Sequence, residues 1–432
     1  MKKPFRLEKL PTDCGQRKVL YRTLGPFYNK RYGMKEGPVA LEHAKSVTEE
    51  VARYTKNSMD KHWAGMCVAL AALHPLDMNF APPDSVLRHL SKGDRDLLER
   101  SFISINILRT EDEAPVGAKD SRIYKTLLQP YHSHSSGLVV LPPEAFVRVI
   151  DMSELQFFAG KTAKDLHKMT SRGKFPDVVH NMAHSVLRYY RPAAIQLLLF
   201  SCYDKQSNIA ARYLYPELFR KMEELFSSMK DDFREVKKRF SEHILQILKC
   251  AKSKGFPIVE KTDRETGKKV PFIMREKTPG SATLKALKKE LVAPDGTDFD
   301  PEVILDGITD PVASMLVSTR HCDAEGLYCM ISSKDRDLIV EAESVFYKGC
   351  RDPKKKSHPE YQGVGHLTYD AKKFGAKLMK KLELQVRSLK GDHDYHHGKA
   401  GRGFRDSPEL ADAWGDYDNF KIVQALGHRH EA

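Results

Sequence analysis

The sequence predicts an α+β fold, with an all-helical first half, a long connecting helix and a second half built on a mixed sheet. Three observations predict it. Apolar residues recur at helical spacing through the first two hundred positions. One amphipathic stripe then runs from Pro216 to Lys254. Beyond Gly255 the texture changes to short apolar runs alternating with helical stretches. At roughly 150 residues per core, a chain of 432 residues has room for two or three. The expected partition is a helical domain over 1–200, a helical connector over 201–255, a mixed-sheet domain over 256–405 and a tail over 406–432.

In order, Val39–Tyr54, His62–Leu73 and Pro176–Phe200 carry helical periodicity, with a polar, Pro-rich break over 74–85. The connecting stripe places apolar residues at 218, 222, 225, 226, 229, 233, 236, 240, 244, 247 and 248. Pro216 suits its first turn and Gly255 the position just past its end. Strands are expected at Val270–Met274, Ala313–Ser318, Leu327–Ser332, Leu338–Val340 and Leu382–Arg387, and a helix at Ala282–Leu291.

Composition narrows the function classes. The longest apolar runs, Cys67–Leu73 and Ile195–Phe200, fall far short of the roughly 18 residues that span a bilayer. The basic N-terminus has no apolar segment and does not read as a secretory signal. Seven scattered cysteines with no CxxC pair argue against a disulfide framework or a cysteine zinc site, and for a reducing, cytoplasmic setting. The net charge of +13 favours polyanionic partners such as nucleotides or nucleic acid.

Four segments carry candidate chemistry. Arg275-Glu-Lys277-Thr-Pro-Gly-Ser281-Ala-Thr-Leu-Lys285 sets cations around a helix that opens at Ser281, a natural phosphate cradle or a plain N-cap. Asp310 ends a turn just before an apolar strand, where an acid can reach a metal or serve the turn. Lys348 and the Lys354–Lys356 run precede Tyr361 and His366 in a Gly-rich loop, cations for phosphates beside a ring that can stack on a base. Strand 382–387 points Glu383, Gln385 and Arg387 to one face, a set that suits Mg²⁺ and phosphate or a solvated edge. His393, His396 and His397 cluster without partners at ligand spacing.

Taken together, these segments resemble the synthetase domain of RelA/SpoT homologues, the enzymes that make the alarmone (p)ppGpp in the stringent response. Arg275, Lys277, Ser281 and Lys285 match that family's Arg-x-Lys-x-x-x-Ser-x-x-x-Lys element. Asp310 before VASMLV, the basic stretch running to Tyr361 and His366, and Glu383-x-Gln385-x-Arg387 follow in the family's order. The chain departs from the pattern at Met315, where the family has Arg, at Pro359-Glu360, where it has Asn-Gly, and by one extra residue between Tyr361 and His366. The first half resembles, more faintly, the family's helical HD-type hydrolase domain. Residues 31–43 put His43 at a metal-ligand position, residues 72–79 put His74 beside Pro75 where the family has Asp, and residues 148–158 put Ser153 where the last metal Asp is expected.

The resemblance implies a nucleotidyltransferase-like domain that moves the β,γ-pyrophosphate of ATP to the 3′-hydroxyl of GDP or GTP, joined to an inactive hydrolase scaffold. It implies that Asp310 and Glu383 hold Mg²⁺, with Glu383 taking the proton. Arg275, Lys277, Ser281 and Lys285 would grip ATP. Tyr361, His366, Lys348 and Lys354, with Gln385 and Arg387, would hold the acceptor. Three alternatives stay open: the same transfer to an adenine nucleotide or an RNA 3′ end as a toxin, a non-catalytic nucleotide- or RNA-binding protein, and an active metal phosphohydrolase in the first half, which Pro75 and Ser153 disfavour.

Overall fold

The computed structural model describes residues 11, 14–76, 90–113, 131–132, 138–154, 175–262, 269–345 and 364–392. Contacts among them divide the chain between Ile209 and Ala210 into two units. The basic loop with Lys348, Lys354 and Tyr361, the His393–His397 cluster and the 406–432 tail lie outside the described residues.

The first unit is built from helices. α1 (Cys14–Thr55) is interrupted at Gly33, whose φ of 82° and ψ of 169° only glycine tolerates without strain. α2 (Lys61–Leu73) is buried continuously from Trp63 to Leu73, as a helix that is apolar all round must be. Asp60 caps it by accepting from the Trp63 amide at 2.8 Å. α3 (Lys92–Glu113) follows. The short antiparallel pair β1 (Tyr131–His132) and β2 (Val139–Val140) leads into α4 (Pro143–Asp151), whose first residue is the proline that favours that position. The expected helix 176–200 is divided into α5 (Phe175–Ser185), a wider turn over Val186–Tyr190 and α6 (Arg191–Gln196). α7 (Phe200–Leu214) runs across the division between the units.

The second unit opens with α8 (Pro216–Ser228) and α9 (Lys230–Ser253), not one continuous helix. Met229, at φ −90° and ψ 7°, breaks the helix while its side chain stays fully buried, so the stripe continues. Both helices are part of this unit's core: Leu218, Met222, Val236, Phe240, Ile244 and Ile247 are buried with Leu316, Leu384 and Val386. Residues 216–253 therefore have their apolar face covered by the following domain, which is what an amphipathic stripe of that length requires.

The sheet that follows has five strands. A two-residue pair, β3 (Lys261–Thr262) and β4 (Lys269–Val270), stands apart from it. β5 (Ile273–Glu276), α10 (Pro279–Lys288), α11 (Pro301–Gly307), β6 (Val312–Ser318), α12 (His321–Lys334), β7 (Ile339–Val345), β8 (Val364–Asp370), a 3₁₀ turn (Ala371–Phe374) and β9 (Lys381–Ser388) complete it. The strand order is β5-β6-β9-β8-β7. β6 and β9 pair in parallel and the other pairs are antiparallel, so the sheet is mixed, as expected. Leu327–Ser332, expected as a strand, lies inside α12, where Ala324, Leu327, Tyr328 and Ile331 form its buried helical stripe.

Along β6 and β9 burial alternates: Val312, Ser314 and Leu316, with Leu382, Leu384 and Val386, face the core, while Ala313, Met315, Glu383 and Gln385 are only partly covered. The covered side meets α12, and Phe240 of α9 packs edge-on to Tyr369 and Phe374 at 5.4 and 5.2 Å between ring centres. The other face of the sheet is left for polar groups. No helix among the described residues is long and apolar enough to cross a membrane, and the described cysteines are free thiols.

Candidate functional site

Strand register assembles the second unit's site. Arg275 of β5 pairs with Ala313 of β6, which pairs with Glu383 of β9, itself opposite Thr368 of β8. Two residues along, Ile273, Met315, Gln385 and His366 form the next row on the same face. Segments separated by about a hundred residues thus deliver Arg275, Glu383, Gln385 and His366 to one surface. Met315, where the resemblance expects an arginine, sits in that surface between Ile273 and Gln385.

Asp310 lies between α11 and β6 and is gripped by two ammonium groups. Lys277 Nζ is 2.9 Å from Oδ2 and Lys285 Nζ 2.5 Å from Oδ1. Burial pushes the Asp310 carboxyl up, but the Lys277 and Lys285 charges outweigh it and hold the group well below the usual carboxylate range. Two residues expected to hold ATP are therefore joined directly to the acid expected to hold the metal. Ser281 is not the N-cap. That role falls to Thr278, whose side chain accepts from the Ser281 amide at 3.3 Å. Ser281 is 1 % exposed, and its Oγ finds no hydrogen-bond partner among the described residues. A buried hydroxyl left over in the first turn of a ten-residue helix, beside two lysines, fits a phosphate cradle.

Glu383 is oriented from both sides. His366 Nδ1 lies 2.8 Å from Oε1, and Gln385 Nε2 donates to Oε2 at 2.8 Å. Burial raises the Glu383 carboxyl, but the hydrogen bond and charge of His366 bring it below its ordinary value although Asp310 opposes them. Arg387 Nη2 donates to Gln385 Oε1, and its Nη1 donates to Asp392 Oδ1 at 3.0 Å. Lys261 Nζ holds the other Asp392 oxygen at 2.7 Å. Asp392 was not singled out in the sequence, and its only signal is an acid five residues beyond a strand arginine. Two ionised carboxylates facing one polar surface are a donor set that suits Mg²⁺ shared with substrate phosphates.

A second cluster lies in the first unit. His43 of α1, His74 just past α2 and Asp151 at the end of α4 converge. His43 Nε2 and His74 Nε2 are 3.0 and 3.1 Å from Asp151 Oδ1 and 3.2 Å from each other. His74 Nδ1 donates to the Ala71 carbonyl at 2.6 Å, which leaves Nε2 as a lone pair facing the centre. Bonds of roughly 2.1 Å at near right angles set donor atoms roughly 3 Å apart, so the triangle fits a divalent transition-metal ion. Burial pushes His74 down against the pull of Asp151, while Asp151, despite burial, is held far below its ordinary value by His74 and Arg148.

This corrects the reading of the first half in one respect. Ser153, expected in place of the carboxylate ligand, donates to the Ile150 carbonyl at 2.6 Å and lies 3.5 Å from Cys202 Sγ. Asp151, two residues earlier, is the carboxylate that meets His43 and His74. Pro75 stands as expected without a side-chain donor, and its carbonyl accepts from Tyr32 Oη and Arg109 Nη1. No model of a known protein family matches the chain, and no curated protein matches it.

Proposed function

We propose that the second unit transfers the β,γ-pyrophosphate of ATP to the ribose 3′-hydroxyl of GDP or GTP. The observation that carries this reading is the convergence of Asp310, Glu383, Lys277, Lys285 and Arg275 around one polar sheet face, with the Ser281 hydroxyl left over beside them. In the reaction the 3′-oxygen bonds to the β-phosphorus, the bond from that phosphorus to the α-bridging oxygen breaks, and AMP leaves. Glu383, kept ionised and aimed by His366 and Gln385, takes the hydroxyl proton. Lys277, Lys285 and Ser281 bind phosphate oxygens, and Arg275 adds charge from the same row. Mg²⁺ on Asp310 and Glu383 would neutralise charge that develops on the phosphates. Lys348, Lys354, Tyr361 and His366 are proposed for the acceptor.

The test is incubation of the purified chain with labelled ATP and GDP or GTP, with adenine nucleotides and RNA in parallel. The reading predicts a 3′-pyrophosphorylated guanosine nucleotide that is lost in Glu383→Gln and Asp310→Ala. No transfer to any acceptor, or transfer unchanged in both variants, overturns it. Salt-sensitive binding without turnover would favour the non-catalytic alternative.

The donor triangle in the first unit supports a second reading, a metal-dependent phosphohydrolase, in place of the inactive scaffold. Three buried donors are present, and the position of Pro75 is the one that offers none. Binding of Mn²⁺ or Zn²⁺ that is lost in His74→Ala, together with hydrolysis of a 3′-pyrophosphorylated nucleotide, would establish it. Metal binding without hydrolysis would leave a metal-holding scaffold.

A further inference from the structure

We propose that Arg148 is the positioning residue of the His43–His74–Asp151 centre. Anchored on Asp112, its guanidinium fixes one oxygen of Asp151 and thereby reserves the other for a divalent cation. The proposal rests on the metal-binding reading of the first unit and adds the group that would shape the site.

Arg148 is 2 % exposed and sits on α4 between the buried residues Phe146, Val147, Val149 and Ile150. A guanidinium in such surroundings is tolerated only when its charge is matched. The match is with two carboxylates, although Nη2 makes an ion-pair contact and no hydrogen bond among the described residues. Nε donates to Asp112 Oδ2 at 2.8 Å and Nη2 lies 2.7 Å from the same oxygen, while Nη1 donates to Asp151 Oδ2. Asp112, fully buried near the end of α3, is in turn held by the Tyr190 hydroxyl at 3.0 Å. The result is a division of labour within one carboxylate: Asp151 Oδ2 belongs to Arg148, and Oδ1 to the two imidazoles.

A purely structural role for Arg148 would be met by its pairing with Asp112. The additional bond to Asp151 sets the rotation of the carboxylate that faces the histidines. A lysine could not reproduce the arrangement, because a point charge cannot span two carboxylates as the planar fork does.

The test measures Mn²⁺ and Zn²⁺ affinity of the full chain after chelator treatment, by calorimetry, with circular dichroism to verify folding. Arg148→Lys is expected to keep the fold and bind about 10- to 100-fold more weakly, the usual cost of losing a group that orients a ligand. Tyr190→Phe removes only the hydroxyl on Asp112 and is expected to weaken binding several-fold, which keeps the test decisive if Arg148→Lys fails to fold. Wild-type affinity in Tyr190→Phe, and in Arg148→Lys where that folds, overturns the proposal while leaving the metal reading intact. Absence of binding by the wild-type chain removes both.

Discussion

Asp232 holds the approach to β9 by a single carboxylate oxygen. Oδ2 accepts from the backbone N–H groups of Lys377, Leu378 and Met379 at 3.0, 2.6 and 2.9 Å. These residues precede the strand that carries Glu383, Gln385 and Arg387. Asp232→Ala orphans all three donors. Hydrogen bonds to a charged acceptor contribute about 1.5–3 kcal/mol each, and a donor left buried without a partner costs about 1–3 kcal/mol. Lys377 and Leu378 are exposed, so water replaces most of what they lose, whereas Met379 is fully buried and bears the full cost. The sum is about 2–4 kcal/mol. Hydrogen exchange resolved to these amides is the right assay, because it reports the local opening of this turn regardless of how the first unit unfolds. At about 1.4 kcal/mol per tenfold, exchange of the Met379 amide should accelerate roughly 30- to several-hundred-fold in Asp232→Ala. In Asp232→Asn, which keeps a neutral acceptor, the effect should be smaller. Exchange in Asp232→Ala within threefold of wild type would refute the argument.

Three further outcomes follow from the same geometry. Gly375 ends the 3₁₀ turn at φ 89°, and a Cβ there would stand 3.1 Å from Glu235 Cγ and 3.2 Å from Arg239 Cζ. Gly375→Ala should cost about 1–2 kcal/mol in denaturant unfolding, chiefly from the backbone conformation because both neighbours can yield. Phe240 is fully buried against Tyr369 and Phe374, so Phe240→Ala should cost about 3–5 kcal/mol by the same measurement. Asp310 is held below its ordinary range by Lys277 and Lys285 against the effect of burial, so its ionised form stabilises the fold fully above about pH 4 and less as pH falls further. Asp310→Asn should therefore destabilise at pH 7, with the difference from wild type narrowing in urea titrations below about pH 4. A gap that widens on acidification would contradict the ion-pair assignment.

Elements whose burial follows one period were legible. α2, β6 and β9 match their sequence patterns because one side of each faces a core and the other does not, or, for α2, because every side does. The misses have physical causes. Leu327–Ser332 is a short apolar run that periodicity alone cannot assign, and the helical partner that decides it, Ala324, lies just upstream. β8 was passed over because its polar His366 and Thr368 interrupt the apolar alternation, and those are the side chains it contributes to the candidate site. The break at Met229 leaves no trace in the pattern, since α8 and α9 cover the same core and the apolar stripe continues across the turn.

The two candidate sites differ in legibility for a related reason. In the second unit, Glu383, Gln385 and Arg387 share a strand, so the alternation of side chains already puts them together. In the first unit, the candidate ligands come from two helices and the residue just past a third, and only their packing brings His43, His74 and Asp151 to a common point. Counting along a motif placed the carboxylate at Ser153. The residue that breaks the apolar run FVRVI over 146–150 was the better guide. An arginine flanked on both sides by buried aliphatic and aromatic groups demands acids within reach, and the nearest on its own helix face is three residues on, at Asp151. A charge inside an apolar run therefore carries more information about a buried centre than the spacing of the ligands does. The charge must be matched wherever it is buried, whereas a one-letter correspondence to a motif can slip by two positions without any physical penalty.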